Sequence, residues 1–588
     1  MANGFLLANV NAKQASDIRS DGNKSFAKGD YAAAVNAYSR CVAECLKALN
    51  LPAGSELEGN SKELRSLVGE VRGQGGGDAH NNDILEICNT LLLAWSNRAE
   101  AFLRLKRYDS ALADAERALE LEPTNLKSLN RKGKAFEALH KYEKANSCFL
   151  AAFKLSSQDE DIREALKRTK ICAQQSLQGE FDLSKFYLNR CKGVFQPCCD
   201  YVGPVEIGRV QGSGRGLFLT RDVVAGELLF VSVAVAIAPI LPEPSIAPKG
   251  LRFQSKEQEA DHLVTKLAKV AQICPRARDQ LLTLPFTDTE QGVGIPSMDL
   301  FRPGSDWSSS DAGSAELNAH RICGIAHFSS YNLHTHTADI SDNYVPRPLK
   351  RTGVWPIPSF LHHSCFPNCL RIHVGDAMFV RAARDMASGE VLTVAWFDVS
   401  DPLKARQDSC RNWGFLCRCD RCIFEEGLEP LELMGKRFFE LLQVNPQEWT
   451  VRLASLLPAV EEIIQSRVNL EAQQRNWIRA SCIYAYIAQA ELLRSDLERR
   501  IPFLEAIVES VTSVAAAGMC GLEYSAELLR DVGRFYGKFS EEYAKTEKRV
   551  MDIFRIAYGT QNKAALLALV QNFLRASEVP GARNRRPS

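Results

Sequence analysis

The fold turns on one stretch, Trp355 to Cys422: WPIPSFLHHSCFPNCLRIHVGDAMFVRAARDMASGEVLTVAWFDVSDPLKARQDSCRNWGFLCRCDRC. Two signals lie within it. The trio Cys417-x-Cys419-x2-Cys422 has the close spacing by which thiolates from one short loop reach a single tetrahedral metal ion. Upstream of it, His363-Ser364-Cys365-Phe366-Pro367-Asn368 forms a compact polar block, followed by Gly389-Glu390. The alternative for the trio is free thiols at a chance spacing.

Outward from this stretch, the chain of 588 residues is too long for one core and calls for three or four domains. Hydrophobic residues make up 45% and charged residues 24%, an ordinary globular balance, and a net charge of +1 leaves no footprint for direct nucleic-acid binding or an anionic membrane surface. The chain opens on MANGFLLANVNAKQ, without a basic n-region, and its longest apolar run, Leu228 to Leu241, is too short to span a bilayer. The 18 cysteines are therefore expected to be reduced thiols and metal ligands of an intracellular protein of the cytoplasm, the nucleus or both. The basic run Arg583 to Arg586 is too short to argue nuclear import.

A repeat governs the first third. Gly22, Tyr31, Ala34 and Cys41 stand at the spacing of Ala99, Tyr108, Ala111 and Ala118, and again of Gly133, Tyr142, Ala145 and Ala152. The last two units are offset by the 34-residue period of the tetratricopeptide (TPR) repeat. Small residues are expected where the paired helices touch, with the aromatic filling the gap beside them. Pro123 ends the second unit, the tip at Gly73 is glycine-rich, and Asp159 to Gln178 has the pattern of a capping helix. We expect a TPR domain over 15–178.

On the first helices of these units, Arg19 and Asn23 lie four apart, as do Lys127 and Arg131, with Asn97 between them in the chain. These five resemble the carboxylate clamp by which some TPR domains hold the acidic C-terminal tails of cytosolic heat-shock chaperones. The clamp pattern has Lys where this chain has Arg19. Converging cationic and amide donors suit a terminal carboxylate and an Asp side chain, because charge-assisted hydrogen bonds are the strong ones. The alternative is a set of solvated groove residues that bind something else or nothing.

From Val205, short apolar runs alternate with glycine-containing turns, the pattern of strands. Gly214-Arg215-Gly216-Leu217-Phe218, the block His363 to Asn368, and VRAARDMASGEVLTVAW resemble the successive motifs of SET domains of the SMYD type (SET plus MYND), which are S-adenosylmethionine-dependent protein lysine methyltransferases. The resemblance implies a split SET domain over 203–400 with an insert at about 242–344, a post-SET zinc segment over 401–424 and a helical, TPR-like domain over 428–576. The fold class expected is multidomain α+β. The MYND zinc finger of that family is not expected, since the insert carries only Cys274 and Cys323 of the cysteines such a finger needs. Four histidines of the insert, His320, His327, His334 and His336, have no metal-ligand spacing.

The resemblance also assigns roles. Gly214, Arg215 and Gly216 would lie along the methionine end of S-adenosylmethionine, and His362 and His363 would contact the cofactor. His362 departs from the family, which has Asn there. Cys365 would join Cys417, Cys419 and Cys422 around a closed structural zinc, with Cys369 and Cys410 as bystanders. Trp396 occupies the position of the family's catalytic tyrosine. Losing one oriented hydroxyl contact costs about 1–3 kcal/mol, roughly ten- to a hundredfold in rate. Two functions follow: methyl transfer to the lysine of a protein substrate, slowed at Trp396, or a silent SET scaffold that serves as an adaptor for chaperone tails.

Overall fold

The computed structural model describes residues 2–49, 51, 79–190, 196–239, 256–287, 293–307, 317–333, 351–428, scattered positions of 431–440, 448–467, 469–515 and 519–578. The tip at Gly73, His334, His336 and the run Arg583 to Arg586 lie outside them. The described cysteines are free thiols. Among the described residues no helix is long and apolar enough to cross a membrane. The chain divides into two units: Met1–Leu177 with Pro303–Asp306, and Gln178–Arg302 with Trp307–Ser588.

The first unit is helical: α1 (Ala2–Ala27), α2 (Tyr31–Ala48), α3 (Ala79–Arg104), α4 (Tyr108–Leu121), α5 (Leu126–Ala138), α6 (Tyr142–Leu155) and α7 (Glu160–Gln178). Asp30 and Asn125 cap α2 and α5 by accepting from the main-chain N–H of Ala33 and Ser128. Within each helix pair, volume is matched across the contact. A Cβ on Gly22 would come within 2.5 Å of the Tyr38 ring, and one on Gly133 within 2.8 Å of the Phe149 ring. In the middle pair, the residues at these two positions are Ala99 and Ala115, both fully buried. The ring nearest each glycine thus belongs to the residue sixteen further on, not to Tyr31 or Tyr142, which head their helices. A helix rotates 100° per residue, so a residue seven further along lies on nearly the same face, one step deeper in the pair.

The second unit is α+β. Its strands are β1 (Tyr201–Val202), β2 (Val205–Val210), β3 (Gly214–Leu219), β4 (Leu228–Val233), β5 (Ala236–Pro239), β6 (Ser330–Leu333), β7 (Arg351–Val354), β8 (His362–His363), β9 (Cys369–Val374), β10 (Ala377–Ala382) and β11 (Thr393–Val394). Among the described residues they form four small sheets: β1-β4-β10-β9, β5-β7-β6, the hairpin β2-β3, and the parallel pair β11-β8. Every residue of β10 is buried. Phe379 and Ala377 face a core shared with Leu183, Tyr187 and the C-terminal helices, while Met378 and Val380 face the core of the strand domain with Trp355 and Phe360. A strand covered on both faces reads as a near-continuous apolar run, as AMFV does here.

The insert supplies helices Lys256–Ile273, Pro275–Thr283 and Ala319–Phe328. After the strands come Leu403–Asn412, Asp420–Glu426 and a series of helices from Trp449 to Glu578. Ala472–Ser481 and Ile483–Leu492 are two helices separated at Cys482. The buried Arg381 of β10 donates to the Gly226 carbonyl at 2.8 Å and lies against Gly559, the left-handed C-cap of helix Glu541–Tyr558. A cation at that helix end meets its exposed carbonyls and the negative end of its dipole.

Gly133→Ala should lower the melting temperature, as an inserted methyl in a filled contact costs about 1–3 kcal/mol. Gly133→Ala with Phe149→Leu should recover most of the loss; equal melting of all three proteins would refute the volume-matching account.

Candidate functional site: a thiol cluster beside a SET-type core

The polar block from His362 to Asn368 is held by main-chain pairing. β8 runs parallel to β11, with His362 opposite Thr393 and His363 opposite Val394. Asn368 locks the turn: Oδ1 accepts from the Thr393 N–H at 2.8 Å, and Nδ2 donates to the Val391 carbonyl at 2.8 Å. On its other side, the segment at 389–392 bonds to β3, Leu392 N–H to Leu217 O at 2.8 Å and Leu219 N–H to Glu390 O at 3.1 Å. One extended segment thereby brings β3 and β8 together.

The five residues assigned to the cofactor cradle fall into two contacts. His362 Nε2–H donates to the Arg215 carbonyl at 3.0 Å. The same nitrogen lies 3.0 Å from where a Cβ of Gly216 would stand, and Val210 Cγ2 lies at 2.6 Å, so Gly216 is what lets the imidazole approach. Gly214 adopts φ +81°, a left-handed conformation that glycine takes without strain. Arg215 is buried, with its guanidinium 5.1 Å from the centre of the Phe360 ring. The two segments that could cradle S-adenosylmethionine do meet, but a cofactor there has to share the His362 imidazole with the Arg215 carbonyl. His363 points elsewhere. Its Nδ1 accepts from the Trp396 N–H at 3.2 Å, so the ring proton sits on Nε2, 3.3 Å from the Cys365 sulfur.

The sulfurs converge. The ligand atoms of Cys417, Cys419 and Cys422 lie within 4.8 Å of one another, as do those of His363, Cys365 and Cys417. The Cys365 thiol is raised to about 11, chiefly through its neighbour Cys410, with Cys417, Cys419 and Cys422 also acting on it. Cys410, read from the sequence as a bystander, is fully buried against this cluster. It sits on helix Leu403–Asn412, whose buried face the spacing of the trio does not reveal. Cys369 is apart, with its thiol against Asn368 Oδ1 at 3.4 Å.

Thiols packed this closely compete for protons. Hydrogen bonding with Cys365 draws Cys419 far below the ordinary thiol value and pushes Cys422 far above it; Cys417 is raised to about 12 by the same neighbour. A divalent cation removes the conflict, because a coordinating thiol is deprotonated outright. The donor set therefore fits zinc: four sulfurs, three of them buried, could hold it in a closed site that stabilises structure and leaves no position for a substrate.

The cluster rests on an ionic network that the sequence reading missed. Arg406 and Arg421 both pair with Glu425, and all three side chains are fully buried. Arg406 Nη1 lies 3.2 Å from the Cys422 sulfur. Arg421 donates to the Val399 carbonyl at 2.6 Å, to the Cys365 carbonyl at 3.3 Å and to Ser481 Oγ at 2.8 Å. Two arginines against one glutamate leave a net positive charge beside thiolates. The i, i+4 spacing of Arg421 and Glu425 around Cys422 was the available signal.

Trp396 follows β11. Its ring is half-buried against Trp413 at 5.4 Å, Phe415 at 5.6 Å and His363 at 5.9 Å between centroids.

In the first unit, the clamp residues are partly gathered. Asn97 Nδ2 donates to Asn23 Oδ1 at 3.1 Å, and the same oxygen accepts from Tyr38 Oη at 2.8 Å. Arg131 is turned to Glu100, at 3.3 Å, and to Ser96 Oγ. Among the described residues, Arg19 Nε is buried without a partner. Lys127 is exposed and among the described residues forms no hydrogen bond or ion pair.

Family models match in two places: a tetratricopeptide repeat at residues 93–125 and a SET domain at 214–396. A protein of Gibberella zeae named "Methyltransferase" is 25% identical over 71% of this chain and 59% of its own length. The human histone-lysine N-methyltransferase SMYD3 is 38% identical over 12% of this chain and 17% of its own. Among solved structures, the first TPR of Spaghetti bound to an HSP90 peptide aligns with 28% of this chain and 94% of its own at 21% identity, with a TM-score of 0.19. The chain thus spans less than two thirds of the curated relatives it matches.

Purified protein should carry about one zinc per chain. Cys422→Ser and Cys365→Ser should each lose it, and chelation should lower the melting temperature. Cys410→Ser should keep it; metal retained by Cys365→Ser and lost from Cys410→Ser would exchange the roles of the two.

Proposed function

We propose that this SET-domain protein with tetratricopeptide repeats is a slow S-adenosylmethionine-dependent protein-lysine N-methyltransferase, and that its repeat groove holds the acidic C-terminal tail of a cytosolic heat-shock chaperone. Most support comes from one observation: β3 and the His362–Asn368 block are joined by main-chain hydrogen bonds through residues 389–394, and the main-chain N–H of Trp396 donates to His363 Nδ1 of that block. In this reading S-adenosylmethionine is held by Gly214 to Gly216 with His362 and His363, and supplies the methyl group. Cys365, Cys417, Cys419 and Cys422 hold a structural zinc that ties the post-SET segment to that block.

The protein's own part is positioning. A lysine amine must be aligned and dry, and alignment carries much of the rate. Trp396 is fixed through its main-chain N–H on His363 Nδ1, and the His363 ring is stacked on Phe397 at 4.4 Å. The indole walls the site but presents no hydroxyl, so the step proceeds without that oriented contact.

The second reading, a silent SET scaffold acting as a chaperone adaptor, is favoured by His362. Its Nε2 is engaged by the Arg215 carbonyl and not left open to a ligand.

Trp396→Tyr should raise labelled-methyl transfer in cell extract by about ten- to a hundredfold over the natural protein. Calorimetry with S-adenosylmethionine that gives no heat would leave only the scaffold. In the groove, an acidic tail must compete with Glu100 for Arg131, so Glu100→Gln should tighten a chaperone-tail peptide. Lys127→Ala should weaken the same peptide by about tenfold; unchanged affinity in both variants would remove the clamp.

A further inference from the structure

Among the described residues, two hydrogen-bond donors at residue 396 lack an acceptor: the buried indole Nε1 of Trp396 and the buried Nη1 of Arg371. The residues are linked, since Arg371 Nη2 donates to the Trp396 carbonyl at 3.3 Å. Arg371 rises from β9, with its guanidinium carbon 5.0 Å from the centre of the Tyr331 ring. The Tyr331 hydroxyl is turned away to the Pro358 carbonyl, to which it donates at 2.6 Å.

Three buried arginines meet carboxylates: Arg406 and Arg421 share Glu425, and Arg500 pairs with Glu527 and Asp531. Among the described residues, Arg371 has only a carbonyl and an aromatic face. A cation–π contact is weaker than a hydrogen-bonded carboxylate, and a buried charge without a counter-charge is costly. Such a group in a native fold calls for an explanation, and a ligand that brings the missing acceptor is one. A carboxylate accepts from both donors and neutralises the guanidinium at once.

We propose that Arg371 and the indole N–H of Trp396 form a receptor for a carboxylate of the substrate peptide, so that the lysine taken by this SET core is one flanked by Asp or Glu. The proposal rests on the reading of residue 396 as the reacting centre. A lysine ammonium approaching a bare guanidinium is repelled in a site of low dielectric; a neighbouring acid seated on Arg371 removes that repulsion.

The test uses the full chain carrying Lys127→Ala, which disarms the repeat groove toward acids. Labelled peptides amidated at the C-terminus present a lysine between two Glu or between two Gln, and affinity is read by fluorescence anisotropy. The Glu peptide should bind about tenfold more tightly than the Gln peptide at low salt, and the gap should shrink as salt rises. Adding Arg371→Met should bring the two peptides to within about twofold, and Arg371→Lys should retain part of the preference. Equal affinities in the protein that keeps Arg371, or a preference that survives Arg371→Met, would overturn the proposal. The first comparison needs no change at residue 371 and decides the matter even where Arg371→Met fails to fold. The methyltransferase reading fails separately: an Arg371-dependent preference in a protein that neither binds S-adenosylmethionine nor transfers methyl sinks that reading alone, while equal methylation of the two lysines sinks this one.

Discussion

The convergence of sulfurs from two ends of one stretch is the constraint on which the second unit depends. Cys365 follows a two-residue strand, and Cys417, Cys419 and Cys422 belong to a loop and the short helix after it. Neither segment has enough regular structure to hold itself in place. Strand β8 has two residues and its partner β11 has two, so the pairing alone is weak. Sulfurs meeting over a gap of more than fifty residues close a loop that would otherwise be entropically costly to order. A metal bound there would convert coordination energy into folding energy.

Charge explains the surroundings of that cluster. Thiolates gathered in an apolar setting with Trp477 and Val514 need compensation. Arg406, Arg421 and Glu425 provide it and tie the short helix to Cys365, Val399 and Ser481 at the same time. A buried ion pair is weak evidence of stability by itself, and its use here is geometric: satisfied on every side, it permits one arrangement of the segment that carries Cys417, Cys419 and Cys422. His363 then couples the cluster to the core, with one ring nitrogen toward Cys365 and the other on the main chain of Trp396.

The helical C-terminal region is part of the same folding unit and not an appendage to it. Its apolar residues, among them Leu504, Leu529, Phe554 and Leu569, share one core with Phe379, Ile372 and Val231 of the central sheet. Burial of both faces of β10 leaves little room for polar residues, which is why Arg381 stands out and needs the carbonyl of Gly226 and the end of a helix as partners. In the first unit, the same demand for filled space appears as matched pairs, Gly22 with Tyr38 and Gly133 with Phe149.

What the sequence determined by itself is whatever local spacing encodes. The 34-residue period, the trio at 417–422, the glycines of β3 and the helical periodicity of the last third follow from residue intervals, because a helix, a hairpin or a metal loop repeats within a few residues. The α+β class with helical ends was legible for that reason. Only the tertiary structure decided the rest. That Cys410 joins the sulfurs, that Arg406 and Arg421 share one glutamate, that His362 turns to Arg215, and that Arg371 donates to the main chain of residue 396 all depend on which faces meet across distant segments. Spacing in the chain says which side chains share an element; packing of one element on another selects their partners, and charge and volume at those contacts carry the chemistry.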